Sequence, residues 1–88
     1  MEVTLTLLNN EGLHARPAGQ LVKQANQFQS QISVEFNGRS VNAKSVIHLM
    51  SLGLTSQAQF KVKAEGPDAE QAIQSITNLV NNRFEINA

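Results

Sequence analysis

The chain has 88 residues, which is enough for one small domain over residues 1–88. Seven basic residues balance seven acidic ones, and this neutrality disfavours nucleic acid as a partner because phosphate backbones bind to a basic face. The chain has no cysteine, so no disulfide is expected. It has only two histidines, so no metal site is expected, and no cofactor is predicted. No signal-peptide pattern opens the chain, and no run approaches the roughly 20 apolar residues of a membrane span. We therefore expect a cytoplasmic protein without membrane insertion.

The first half of the chain predicts two strands around a helix. Apolar residues at 3, 5 and 7 alternate with threonines, which indicates a half-buried strand, and residues 9–12 follow as a loop. Apolar residues at helical spacing then predict a helix from about Arg16 to Gln27. Alternation returns at residues 32–36, and the pair Asn37-Gly38 is a strong hairpin signal.

The second half begins with the return strand of that hairpin, at residues 41–43. Ser45 is a favourable cap for a short helix that runs through Leu52, and Gly53 is well placed to end it. Residues 60–64 alternate as a fourth strand.

A third helix follows Gly66-Pro67, and Asp68 with Gln71 predicts a capping box at its start. Its apolar stripe consists of Ala69, Ala72, Ile73, Ile76 and Val80. Residues 83–88 fit either a frayed end or a short extended segment. The element order β-α-β-β-α-β-α predicts an α+β fold, in which helices cover one face of a four-stranded antiparallel sheet and the other face is wet.

The start of the first predicted helix carries the most informative residues, His14, Ala15, Arg16 and Pro17. Proline is favoured in a first helical turn, where its missing N–H costs nothing. The unpaired N–H groups of a helix start attract anions, and the planar cation of Arg16 suits phosphate oxygens. A neutral imidazole beside them is a candidate phosphoryl acceptor. Local chemistry alone also allows a capping or surface histidine, and an ordinary solvated arginine.

Two sequence blocks, GLHARPAGQLV and NAKSVIHLMSLGL, resemble the HPr family, the histidine phosphocarriers of the bacterial sugar phosphotransferase system. The resemblance extends down to the AEGPDAEQAI segment. It implies an open-faced β-sandwich and a monomeric phosphocarrier that is not an independent enzyme. It also implies that Nδ1 of His14 accepts a phosphoryl group from phospho-enzyme I and passes it to enzyme IIA domains, while Arg16 steadies the group.

The segment around Ser45 resembles the regulatory serine of HPr proteins from Gram-positive bacteria. The resemblance implies phosphorylation by the HPr serine kinase/phosphorylase and contact with a catabolite-repression transcription regulator. A helix cap with no further role is the alternative. The expected partner-facing residues are Val46, Ile47, His48 and Met50, and of Ile47, Met50 and Leu52 we expect at least one in the core. His48 departs from the family pattern, which usually has glycine or lysine there.

Two further functions stay open on the sequence. One is an HPr-like regulatory binding module, although the family's regulatory paralogue lacks the active histidine that His14 matches. The other is a carrier in a parallel phosphorelay that does not serve sugars. An independent hydrolase is disfavoured because the chain offers no acid–base pair and no glycine-rich nucleotide loop.

Overall fold

The computed structural model describes residues 1–84, and within them the element order is β-α-β-β-α-β-α. The strands are β1 (Glu2–Thr6), β2 (Gln31–Phe36), β3 (Arg39–Asn42) and β4 (Gln59–Glu65). The helices are α1 (Ala15–Ala25), α2 (Val46–Met50) and α3 (Ala69–Asn81). The last residues of the predicted C-terminal segment, 85–88, lie outside the described range.

The strands form one antiparallel sheet in the order β1-β4-β2-β3. The hairpin between β2 and β3 turns at Asn37 and Gly38, whose φ values are 52° and 78°. Two consecutive positive φ angles match a type I′ turn, whose twist agrees with the twist of the strands. The predicted hairpin is therefore confirmed.

The two faces of the sheet differ in polarity. On β4, Phe60, Val62 and Ala64 are buried on one face. On the other face Lys61 pairs with Glu2 at 3.3 Å and Lys63 with Glu35 at 3.7 Å. Helix α3 packs on β1 and β4, α2 packs on β3, and α1 packs against both other helices. The predicted open-faced arrangement is confirmed. Within residues 1–84, no helix is both long and apolar enough to cross a membrane.

Two helices are shorter at their C-terminal ends than the apolar patterns predicted. Helix α1 ends at Ala25 rather than Gln27, and the amide of Gln27 bonds three residues back, to the carbonyl of Gln24. Helix α2 ends at Met50 rather than Leu52, again with tighter bonds in its last turn. Such turns of the 3₁₀ type are common where a helix stops, and they keep the apolar spacing for a few more residues.

The predicted capping box of α3 is wrong. Asp68 is the N-cap residue, but its side chain makes no bond to its own helix. Its carboxylate instead accepts hydrogen bonds from the Ser30 hydroxyl at 2.5 Å and from the amides of Gln29 and Ser30, each at 2.9 Å. The Ser30 hydroxyl, followed by the Gln29 amide, lowers the pKa of Asp68 below its ordinary value of 3.8. The carboxylate thus ties the start of α3 to the loop before β2.

Candidate functional site

His14 occupies the N-cap position of α1 with an extended backbone, φ −96° and ψ −164°. Its carbonyl accepts the first helical hydrogen bond, from the amide of Ala18 at 2.9 Å, while its side chain makes no capping bond. The amides of Ala15 and Arg16 have no backbone acceptor within residues 1–84. Pro17 has no N–H, and its place in the first turn is as expected. Two donors of the helix start are therefore available beside the imidazole.

The loop before His14 is anchored to the turn that follows α2. The amide of Leu13 donates to the carbonyl of Leu54 at 3.0 Å, and the Leu13 side chain is buried. The side-chain amide of Asn9 donates to the carbonyl of Gly12 at 2.6 Å. Gly12 has a φ of +76°, and a Cβ there would lie 2.7 Å from the carbonyl oxygen of Leu54. Close backbone contact, which holds the imidazole in place, thus explains this glycine.

A carboxylate contacts the imidazole. Nε2 of His14 lies 2.7 Å from Oε2 of Glu11, and the two side chains are 44% and 78% exposed. Residues three apart across an anchored loop meet here because Gly12 turns the chain between them. Glu11 was not among the residues predicted from the sequence, since loop residues 9–12 carry no periodic pattern that would orient their side chains.

His14 and Arg16 border one surface depression of about 350 Å³. Its lining consists of residues 8–11, His14, Arg16, Pro17, Gln20, Arg83 and Phe84. Arg16 and Arg83 are the two basic residues among them, and both are exposed. Two buried side-chain oxygens of its lining, Asn9 Oδ1 and Gln20 Oε1, have no donor within residues 1–84. Two arginines therefore line the depression, while these two oxygens are buried beneath its surface.

Arg83 reaches this depression through the C-terminal turn of α3. The amide of Phe84 donates to the Leu79 carbonyl at 2.9 Å, and the amide of Arg83 donates to the Val80 carbonyl at 3.0 Å. This pair of bonds is a Schellman motif, with Arg83 in the left-handed conformation at φ 57° and Phe84 buried behind it. The sequence does not signal this turn, because glycine usually occupies the left-handed position and here an arginine adopts it.

The residues predicted around Ser45 lie on and before α2, away from the depression. Ser45 is the N-cap of α2, and its Oγ accepts the amide of His48 at 3.4 Å, so its predicted capping role is confirmed. Ile47 is 79% exposed and Met50 42% exposed, whereas Leu52 is buried at 7%. The expectation that at least one of these three belongs to the core is confirmed by Leu52. Val46 is half-buried and His48 is exposed.

The described residues offer no evident metal site. Within residues 1–84, no three side chains of histidine, aspartate or glutamate come together as a metal-binding group. The His14 site places an exposed imidazole at a helix start with two unpaired amides, and Arg16 lines the same depression. These groups suit a transferable anion such as a phosphoryl group.

Comparison with known proteins decides the family. Residues 1–82 match the family model of the HPr component phosphorylation site of the phosphotransferase system. The chain belongs to the HPr family. Its resemblance to that family, first seen in the two sequence blocks, is thereby confirmed.

Solved structures of HPr proteins agree with this assignment. The chain is 43% identical to HPr of Thermoanaerobacter tengcongensis, with a TM-score of 0.94 over 100% of this chain and 99% of that one. It is 35% identical to the phosphocarrier protein HPr of Bacillus anthracis, with a TM-score of 0.87 over 91% and 95% of the two chains. The HPr family consists of phosphocarrier proteins of the phosphotransferase system rather than of catalytic enzymes.

A regulatory relative is also similar. The catabolite repression protein Crh of Bacillus subtilis, described as a domain-swapped dimer, is 35% identical, with a TM-score of 0.78 over 88% of each chain. The HPr fold therefore hosts proteins with names that point both to phosphoryl carriage and to catabolite repression. Fold similarity by itself therefore does not assign one of these two roles to a chain.

Proposed function

We propose that this chain is a monomeric cytoplasmic phosphocarrier that accepts a phosphoryl group on Nδ1 of His14 from phospho-enzyme I and passes it to enzyme IIA domains for sugar uptake. The supporting observation is the position of His14 at the start of α1, next to the free amides of Ala15 and Arg16, with the Arg16 side chain lining the same depression. The contact of Nε2 with Glu11 leaves Nδ1 as the nitrogen without a described partner.

Transfer requires a neutral ring, since the protonated imidazole has no lone pair. The Nδ1 lone pair attacks phosphorus, and the bond from phosphorus to the donor breaks with its electron pair leaving on the donor. Negative charge on the phosphoryl oxygens then meets the helix amides and Arg16, which act as preorganised donors. The site is open to solvent and holds the group only moderately, as a carrier that must also release it requires.

The test is phosphorylation of purified wild-type and variant chains with phosphoenolpyruvate and enzyme I. We expect one acid-labile, base-stable phosphate on the wild type and none on His14→Ala. His48→Ala is the matched control, since it removes the other histidine and should still carry one phosphate, on His14. Phosphate on His14→Ala, for instance at His48, would refute the assignment.

A second candidate function is regulation at Ser45 by the HPr serine kinase/phosphorylase, with a catabolite-repression transcription regulator as the partner of the phosphorylated form. The observation that favours it is that Ser45 is half-exposed and directly precedes a helix that displays Ile47 and Met50. A phosphate adds a charge of about −1.5 to −2, which opposes the docking of a partner that presents acidic groups.

Ser45→Asp tests this regulation against Ser45→Asn, which keeps a capping side chain without the charge. We expect the aspartate variant to accept phosphate at His14 much more slowly at low salt, with a nearly unchanged thermal midpoint. High salt should narrow the difference, because exposed charges are screened. Equal transfer rates for the two variants at low salt would leave Ser45 as a helix cap.

The regulatory-module alternative makes a different prediction in the same phosphorylation assay. A pure binding module of the Crh kind would accept no phosphate from enzyme I. A carrier in a parallel, non-sugar relay would accept it but would fail to pass it to a sugar-specific enzyme IIA domain. Adding that domain to the phosphorylated chain distinguishes the two.

A further inference from the structure

We propose that Glu11 is a positioning residue for phosphoryl transfer, because its carboxylate binds the Nε2–H of His14 and keeps Nδ1 as the nucleophilic nitrogen. This inference rests on the proposed function of His14 and deepens it. The residue lies outside the helix start that carries the other groups of the site, and it acts only through the imidazole.

The contact defines the tautomer of the ring. Nε2 of His14 and Oε2 of Glu11 are 2.7 Å apart, a distance typical of a charge-assisted hydrogen bond. An ionised carboxylate can only accept, so the shared proton belongs to Nε2. In a neutral imidazole the other nitrogen then carries the lone pair. Nδ1 has no hydrogen-bond partner within residues 1–84, so that lone pair is available to phosphorus.

The backbone brings the two side chains together. Glu11 and His14 flank the dipeptide Gly12-Leu13, which is held by the Asn9 side chain on one side and by the Leu54 carbonyl on the other. The left-handed conformation of Gly12 reverses the chain direction between them. An anchored loop thus places Glu11 and His14 close together. Because the backbone between them is already ordered, less conformational entropy is lost when their exposed side chains come into contact.

The electrostatic contribution of the His14–Glu11 contact increases during transfer. When Nδ1 forms its bond to phosphorus and the donor leaves with the electron pair, the ring keeps Nε2–H and gains a positive charge. A carboxylate on Nε2 stabilises this cation, as an aspartate does for the imidazolium in serine proteases. Because Glu11 binds the nitrogen that does not react, its carboxylate does not compete for the nitrogen that bonds to phosphorus.

The experiment compares Glu11→Ala and Glu11→Gln with the wild type by two measurements, ¹⁵N NMR of the His14 ring and the rate of phosphoryl transfer from phospho-enzyme I. In the wild type we expect His14 mainly in the Nε2–H tautomer. In Glu11→Ala we expect a larger share of the Nδ1–H tautomer and a kcat about two- to fivefold lower, since a contact between exposed side chains is weakened by solvent. Glu11→Gln should recover the tautomer, because its amide oxygen accepts the same proton, but only part of the rate.

Glu70→Gln is the matched control. Glu70 is an exposed residue in the first turn of α3, so the variant removes one negative charge without touching the imidazole. We expect wild-type tautomer populations and rates for it. Unchanged tautomers and an unchanged kcat in Glu11→Ala would overturn the inference, and so would an effect confined to KM, which would indicate a charge that acts only in docking. Failure of the proposed function is separate, because it would appear as phosphate on His14→Ala.

Discussion

The N-cap residues of α1 and α3 occupy equivalent positions in their helices, but their side chains differ in how many hydrogen bonds they make within the protein. Neither N-cap residue, His14 or Asp68, caps its own helix with its side chain. Asp68 satisfies its carboxylate with three donors from the loop before β2 and joins two parts of the chain. His14 binds a single exposed neighbour, Glu11, and leaves its other ring nitrogen and two helix amides without partners within residues 1–84.

This difference separates the structural helix start of α3 from the start of α1, which we propose to be functional. A polar group whose donors and acceptors are all paired within the protein stabilises the fold and cannot bind a ligand. A group that is held in place by its backbone and still has an unpaired donor or acceptor can bind a ligand or react with it. The start of α2 is an intermediate case. Ser45 caps its own helix through a long hydrogen bond of 3.4 Å, and the residue is only partly buried.

The largest effect in this comparison is expected from Arg16→Ala at the functional start. The variant should slow phosphoryl transfer about ten- to hundredfold, since a charged hydrogen bond contributes about 1.5–3 kcal/mol. Its free energy of unfolding should change by less than about 0.5 kcal/mol, because the side chain is exposed. Arg16→Lys should recover part of the rate, as it keeps the charge but not the bidentate geometry. Rates equal to wild type in the alanine variant would make Arg16 a surface charge.

The opposite pattern is expected from Ser30→Ala at the structural start. Loss of the buried hydroxyl that donates to Asp68 should lower the free energy of unfolding by about 1–2 kcal/mol, with no change in phosphoryl transfer. Urea denaturation and the transfer assay measure the two quantities. Ser75→Ala is the control, because its 3.2 Å bond to Gln24 is neutral and should cost less. Slower transfer in Ser30→Ala would show that the two helix starts are coupled.

The carboxylate of Asp68 also predicts a pH dependence. Its pKa is lowered in the folded chain, first by the Ser30 hydroxyl, so the unfolded chain binds more protons near pH 4. The stabilisation is therefore present above the ordinary value of 3.8 and is lost as the pH falls through the lower folded value. Asp68→Asn should show a shallower loss of stability on acidification in denaturation curves. Parallel curves for variant and wild type would assign the acid sensitivity to other carboxyl groups.

The smallest effect is expected from Ser45→Ala, which tests the intermediate case. Loss of the long capping bond should lower the free energy of unfolding by about 0.5–1 kcal/mol and leave transfer to His14 unchanged. Thermal denaturation is the measurement, and Ser45→Asn, which restores a capping oxygen, should recover most of the stability. A cost as large as that of Ser30→Ala would place Ser45 with the structural residues.

Much of the fold and the first part of the site could be predicted from the sequence. Alternation of apolar residues follows directly from strand geometry, and the pair Asn37-Gly38 favours the turn that the hairpin requires. The neighbourhood of His14 and Arg16 was predictable because Pro17 marks a first helical turn in local sequence. Helix ends were less predictable, since the apolar spacing at Leu52 continues into a tighter turn.

The remaining contacts depend on residues far apart or on loop geometry. Asp68 and Gln71 have the spacing of a capping box, yet the carboxylate finds better donors 38 and 39 residues away in sequence. Glu11 meets His14 only because Gly12 packs against Leu54. Arg83 reaches the depression only through the turn that ends α3.

The local pattern of this chain determined its strands, its helices and the family to which it belongs, because periodicity and short motifs act between residues that are near in sequence. Only the tertiary structure decided which polar side chains are paired within the protein and which keep unpaired donors or acceptors. That division depends on where distant donors and acceptors come to lie once the helices pack on the sheet. His14 kept a free nitrogen and Asp68 kept no free oxygen for this reason.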